Sequence, residues 1–303
     1  MLRSNKLLAI VMAISATGIW GLEGTLGKYL VGTTNPMIVT LTQLGFSTLI
    51  SWIVVIIKFK YLDFDRNLLL GSVMGILHPG LSSSLGIIGL SHVDASVSSL
   101  VWALEAVMTM MLAWALLGEK ISRSQILLSI LSFAGVILAS SRFDQTLATP
   151  GQCFGIVSLL AAVLSAGAYS ASSQHFMANI ESNSIVLVTC QQTIGLFWMV
   201  LMLPLGLSGN QFMEFPILSQ SVLAACVLAG LMKYLIATGL FVRSLHHLSA
   251  TFASSFLVLT PVFGIAGAFV FLGERLSQIQ WLGVVLVLLA VISMQFTNRI
   301  QET

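Results

Sequence analysis

Ten times along this chain a run of about twenty mostly apolar residues passes before charge or turn-forming residues interrupt it. The runs fall near 7–28, 36–57, 68–90, 94–117, 123–141, 151–174, 184–207, 218–242, 248–272 and 277–296. Each is long enough, at a 1.5 Å rise per helical residue, to cross a hydrocarbon core of about 30 Å. The breaks carry expected punctuation: Asn35-Pro36, the cluster from Lys58 to Arg66, Gly118-Glu119-Lys120, Thr149-Pro150-Gly151 and Gly273-Glu274-Arg275. Only 8% of the 303 residues are charged, against roughly 25% in a soluble domain. A water-facing surface could not be covered with so few charges, whereas a bilayer requires no such cover. The expected fold is an all-α integral membrane protein of ten transmembrane helices. Its first run has the basic flank Arg3 and Lys6 but stays apolar well past a signal peptide's usual length, so it reads as a retained span.

Several function classes fall away. A net charge of +2 with no basic stripe gives no footing for nucleic acid. Cys153, Cys190 and Cys226 lie scattered in apolar segments without CxxC or metal-ligand spacing, so they read as small buried hydrophobes. No metal or cofactor is expected. The absence of a GxxxxGKS/T loop argues against direct ATP use. A membrane-embedded enzyme would want HExxH, GxSxG or paired aspartates, and none occurs. That class, and a non-transporting sensory or structural protein, are the competing readings.

Lys and Arg set the orientation, because cytoplasmic loops retain positive charge. Arg3, Lys6, Lys58, Lys60, Arg66, Lys120, Arg123, Arg243 and Arg299 fall on one side of the ten-span scheme. Lys28, Arg142 and Arg275 fall on the other, and Lys233 lies inside a span. An even number of spans then puts both termini in the cytoplasm.

The chain also repeats itself. His92 to Ser140 aligns without gaps on His247 to Gln295, at an offset of 155 residues and with about 15 of 49 positions identical. Leu117-Gly118-Glu119-Lys120-Ile121-Ser122 matches Leu272-Gly273-Glu274-Arg275-Leu276-Ser277, and Gln125 falls on Gln280. More weakly, Ala16 to Trp20 resembles Ser165 to Tyr169, and Thr42-Gln43 resembles Cys190-Gln191. Two five-helix halves follow, residues 1–145 and 146–303. An odd number of spans per half inserts the second copy upside down, an arrangement many secondary transporters use around a mid-membrane site.

Ten spans, two such halves and a Gly-Glu-basic turn after the fourth helix of each half resemble the EamA-like family of the drug/metabolite transporter superfamily. The best motifs are Leu104-Glu105-Ala106-Val107 with Leu117-Gly118-Glu119-Lys120, and Leu259-Thr260-Pro261-Val262 with Leu272-Gly273-Glu274-Arg275. The family often has Glu-Pro at the first pair; here one half keeps the Glu and the other the Pro. The resemblance implies alternating access, movement of small metabolites and a bacterial inner membrane.

Charges inside spans are costly, on the order of 2.5–3.5 kcal/mol at a helix centre, and tend to face cavities or each other. Glu23 sits in the first span with Trp20 one turn before it, and Gly18, Gly21 and Gly24 on the adjoining stripe admit a close neighbour. Glu105 lies mid-span in the fourth run, one turn after Trp102. Lys233 is the one basic residue deep in a span, with Glu23 or Glu105 as partner or a substrate anion as ligand. His78 precedes Pro79-Gly80, where a kink can open a polar face, so it reads either as a proton relay or as a packed histidine. Trp20, Trp102 and Tyr169 offer aromatic walls, and Gln43 and Gln191 offer neutral donors and acceptors. Glu119 and Glu274 read as structural helix-end residues. The leading function is a secondary transporter for a small organic metabolite, such as an amino acid or organic cation, exchanged against a proton or running down its own gradient. Its partners are that small molecule, the lipid bilayer and a coupling proton. One chain holds both repeats, so a monomer suffices and a dimer is compatible.

Overall fold

The computed structural model describes residues 2–59, 66–117, 121–140, 149–177, 184–206, 218–244, 247–248 and 255–301, and these hold helices and no strand. In chain order the α-helices are α1 (Leu2–Val31), α2 (Pro36–Lys58), α3 (Arg66–Val73), α4 (Ser82–His92), α5 (Ala95–Trp102), α6 (Glu105–Leu117), α7 (Arg123–Ser140), α8 (Pro150–Met177), α9 (Ser184–Gly206), α10 (Gln220–Gly230), α11 (Thr238–Ser244), α12 (Leu259–Phe271) and α13 (Gln278–Gln301). Among the described residues, seven helical segments are long and apolar enough to cross a membrane: Lys6–Val31, Pro36–Lys58, Arg66–His92, Ala95–Ala115, Pro150–Ser172, Ile185–Leu203 and Gln220–Ser244. The runs expected near 123–141, 248–272 and 277–296 fall on α7, α12 and α13, whose apolar stretches among the described residues are the shorter Arg123–Ala139, Leu259–Phe271 and Gln278–Ser293. Positions 249–254 of the second of these, and Glu119 with its turn, lie outside the described residues.

The helix starts follow from local chemistry. Asn35 accepts from the amide of Met37 at 2.9 Å, with Pro36 opening α2 where no amide is needed. The repeated Ser-x-x-Gln turns out to be a capping box in both halves. Ser122 donates its amide to Gln125 Oε1 at 2.5 Å, and Ser277 donates to Gln280 Oε1 at 2.9 Å. The amides of Gln125 and Gln280 return to the serine hydroxyls at 3.2 and 3.3 Å.

Two spans are interrupted. After α3 the chain tightens into a 3-10 turn (Met74–Ile76), then widens into a π turn (Leu77–Leu81) in which His78 leaves helical geometry (φ −141°, ψ 121°). Between α10 and α11 a second π turn spans Leu231–Ala237. Such turns spoil the regular ladder, so carbonyls need partners from elsewhere. Ser165 Oγ donates to Leu77 O at 3.0 Å, Gln192 Nε2 to Tyr234 O at 3.0 Å, and Trp20 Nε1 to Lys233 O at 3.2 Å.

Packing sets the neighbours. α7 runs along α13, α8 touches both α4 and α6, α1 touches α12 and α11, and α2 touches α9 and α10. The α7–α13 crossing is close: a Cβ on Gly135 would sit 2.9 Å from Gly283 O, and one on Gly283 2.6 Å from Gly135 O. The polarity of the molecule is reversed relative to a soluble protein. Ile57, Leu127, Ile137 and Phe271 are exposed, whereas Gln43, Ser47, Gln192 and Ser132 are buried. Water would penalise the first set and hydrocarbon rewards it. Of the cysteines expected inside, Cys190 and Cys226 are buried but Cys153 is exposed, on the first turn of α8. Its neighbours Gly151 and Phe154 are exposed too, with the His92 ring set edge-on against Phe154 at a centroid distance of 5.2 Å.

Two long-range contacts tie helix ends together. Lys28, at the end of α1, donates to Leu90 O at 3.0 Å and Val93 O at 2.6 Å, placing a cation on the carbonyl end of α4. The opposite polarity appears at the start of α5. Asp94 precedes that helix without a side-chain cap bond, and the amides of Ala95 and Ser96 donate instead to Glu274 at 2.8 and 3.0 Å. The Ser96 hydroxyl joins them at 2.5 Å. Gly273, with φ 69°, turns the chain out of α12 so that Glu274 can reach. Glu274→Ala leaves three donors without their acceptor and should cost about 1–2 kcal/mol. Thermal unfolding of the purified protein in detergent measures this; an unchanged midpoint would mean water serves the amides equally well.

Candidate functional site

A cavity of about 140 Å³ lies among α1, α4, α5, α6, α8, α11, the start of α12 with the 3-10 turn Ser255–Val258 before it, and the two π turns. Seven of the nine residues singled out from sequence line it: Trp20, Glu23, His78, Trp102, Glu105, Tyr169 and Lys233. Each arrives by local geometry. Trp20 and Glu23 are three apart on α1 and share a face, and so do Trp102 and Glu105 across the junction of α5 and α6. His78 and Lys233 are delivered by the two π turns.

The charges sort clearly. Lys233 Nζ meets Glu23 Oε2 at 3.0 Å, with the two side chains 20% and 8% exposed. Of the two partners open to Lys233 from sequence, the structure pairs it with Glu23. Lys233 Nζ also stands 5.2 Å from the centre of the Tyr234 ring, on the attractive face of its quadrupole. Glu105 Oε1 accepts from Ser170 Oγ at 3.1 Å, and among the described residues no basic side chain stands within ion-pair distance of it.

The aromatic walls are held in place. Trp20 has its indole N–H on Lys233 O and its ring tilted against Phe241, with centroids 5.4 Å apart. Tyr169 packs on His78 at 5.1 Å and donates its hydroxyl to Gln191 Oε1 at 3.1 Å. His78 Nδ1 shares a hydrogen bond with Ser82 Oγ at 2.8 Å, so this ring is packed on one face and bonded on its edge.

Gln43 and Gln191 are not among the lining residues. Gln43, fully buried on α2, reaches Glu23 Oε1 with Nε2 at 3.4 Å from behind. Gln191, on α9, holds Tyr169 and donates to Gly71 O at 3.0 Å. Both therefore orient residues that line the cavity. The close neighbour expected along the glycine stripe of α1 is α12: a Cβ on Gly21 would lie 2.7 Å from Phe263 Cβ.

Sequence reasoning passed over Ser170, Phe241 and Thr260, all of which line the cavity. Thr260 had a usable signal, since the 155-residue offset sets it at the repeat position of Glu105. Its hydroxyl oxygen is buried and makes no hydrogen bond among the described residues. Ser170 and Phe241 had none; serine and phenylalanine are common in any span.

The sequence profile of the EamA-like transporter family matches residues 7–141 and again 153–295. This chain belongs to the EamA-like transporter family. It is accordingly a multi-pass membrane transporter of the drug/metabolite transporter superfamily, and its exposed apolar helices suit a bilayer. An uncharacterized transporter of Archaeoglobus fulgidus (strain ATCC 49558 / DSM 4304 / JCM 9628 / NBRC 100126 / VC-16) is similar to this family member, at 22% identity over 293 residues covering 93% of this chain and 96% of the relative. A crystal structure of a protein with 14% identity superimposes with a TM-score of 0.67, covering 97% of this chain and 99% of the other, and so shares its fold.

Proposed function

We propose that this EamA-like transporter is a secondary transporter that carries a small organic metabolite, an amino acid or an organic cation, through the central cavity by alternating access. The observation that carries the reading is where the cavity's polar contacts fall. Glu23–Lys233, Trp20–Lys233 and Glu105–Ser170 each join a residue before position 145 to one after it. A site shared between two halves is opened to one side or the other when the halves rock.

The ten-span scheme of inverted halves, 1–145 and 146–303, draws support from the way contacts pair off. The contact of α4 with α8 has a counterpart in α11 with α1, that of α1 with α12 in α8 with α6, and that of α2 with α10 in α9 with the 74–76 turn. His78 and Lys233 stand 155 residues apart, each in a π turn. In the opposite-insertion scheme both termini are cytoplasmic and the membrane is a bacterial inner membrane. A fluorescent protein fused after Gln301 should then fluoresce in intact bacteria, while an alkaline phosphatase fused after Gly32 should be active; the reverse pattern would invert the topology.

A carboxylate in a water-poor cavity holds either a proton or a cation, which gives a physical basis for proton exchange. The central test is thermal stability of purified protein against amino acids, quaternary ammonium compounds, purines and sugar phosphates, followed by transport of any hit in proteoliposomes. A bound ligand raises stability as its concentration passes Kd. Hits among cations or zwitterions should vanish in Glu105→Gln. Hits confined to anions, unchanged in Glu23→Gln and Glu105→Gln, would overturn the carboxylate-lined site.

A further inference from the structure

Resting on the transporter reading of this cavity, and narrowing it, we infer that the substrate class is an apolar organic ammonium ion lacking a carboxylate, with Glu105 as its counter-ion. The inference begins with the charges facing the cavity: Glu23, Glu105, Lys233 and His78. Glu23 and Lys233 cancel across 3.0 Å. His78 is engaged by Ser82 and Tyr169. Of the carboxylates and lysine lining the cavity, Glu105 is left without an opposite charge within ion-pair distance among the described residues. Its only hydrogen bond there comes from the neutral Ser170, and a carboxylate has room for several more.

The surroundings of Glu105 match an ammonium on an apolar body. Trp102, one turn before it, and Tyr169, next to the serine that bonds it, both line the cavity. Trp20 lines it as well, its ring fixed by Lys233 O and Phe241. Aromatic faces attract a desolvated cation and pack its hydrocarbon part. The apolar wall is continued by Ile87, Leu90 and Leu257.

A substrate carboxylate, by contrast, has no seat. Lys233 is the cavity's ammonium, and Glu23 already occupies it while Gln43 steadies the other carboxylate oxygen at 3.4 Å. An amino acid carboxylate would have to share that one ammonium with Glu23, bringing a second negative charge to a cation already balanced. The geometry therefore sets Glu23–Lys233 as a positioning pair and Glu105 as the group that touches substrate.

Three probes that share a phenyl ring separate the classes: 2-phenylethylamine (cation), phenylalanine (zwitterion) and 3-phenylpropionate (anion). Binding to the purified full-length protein is read by ligand-induced thermal shift and by isothermal titration, without need of any variant. The amine should bind and the other two should bind at least about tenfold more weakly, the loss expected when a charged contact is missing or opposed. Glu105→Gln should weaken amine binding by about ten- to a hundredfold, and Glu105→Asp should keep most of it. Failure of the amine to bind overturns the assignment, as does phenylalanine or phenylpropionate binding equally well, or amine affinity unchanged in a folded Glu105→Gln protein. Proteoliposome uptake then tests the underlying reading by itself. Amine that binds but never crosses leaves the class standing and sinks transport through this cavity; phenylalanine that crosses in place of the amine does the opposite.

Discussion

Glu23→Gln should lower the stability of the purified protein by about 3–5 kcal/mol, because it strands the Lys233 ammonium in the interior without its counter-charge. Breaking a buried pair from one side costs more than the pair contributes, since the remaining charge keeps its desolvation penalty and loses the attraction that offset it. Lys233 retains 20% of its side-chain surface, so the lower end of that range is expected. Lys233→Met should do comparable damage by leaving Glu23 alone against Gln43. The two changes together should recover most of the stability, as they remove both charges from a site where Tyr234 and Trp20 pack. Thermal unfolding of the three variants in one detergent measures this. If the double variant were no better than the worse single one, the ion pair would not be what stabilises this contact.

Gly230→Ala should be nearly as damaging, by overpacking. A Cβ on Gly230 would fall on the main-chain carbonyl of Gln43, and one on Gly75 would fall on that of Gln191. A backbone carbonyl cannot rotate aside as a side chain can, so α2 would have to move bodily from α10. Overpacking of this kind costs about 1–3 kcal/mol. Because the displaced residue is Gln43, its hold on Glu23 goes with it. Gly239 supplies the control: it lies in α11 with nothing within 4 Å of an added Cβ, and Gly239→Ala there should be neutral or gain a few tenths of a kcal/mol. Equal losses at 230 and 239 would show that the helix backbone, and not the contact with Gln43, is what the substitution disturbs.

The placements that were legible in the sequence share a physical reason. A charge inside an apolar run has so few tolerable surroundings that Glu23, Glu105 and Lys233 were nearly bound to meet a cavity or one another, and all three line one. The aromatic residues a turn away from them followed by helix periodicity. Glutamine carries no such compulsion, since it can satisfy itself on any neighbouring backbone, and Gln43 and Gln191 indeed work from behind the wall. Ser170 was illegible because a serine hydroxyl commonly returns to its own helix, as Ser84 and Ser129 do here. Span length was the other weak point. α12 begins only at Leu259, after a 3-10 turn over Ser255–Val258, and the Gly273 turn and the Ser277–Gln280 capping box fix where it ends and where α13 begins. Hydropathy alone does not register either device. Cys153 failed for a related reason: residue type says that cysteine tolerates burial, not that something lies over it.

The cap that Glu274 places on α5 has a consequence for how the molecule is made. The amide of Ala95 and the carboxylate that accepts from it are 179 residues apart. A chain emerges from the ribosome in order, so the helix bearing Trp102 leads into the membrane with open amides and keeps them while three-fifths of the polypeptide is still to follow. The helix that carries one wall of the cavity is thus capped by a turn synthesised 179 residues after it, and the cap forms only once α12 has followed.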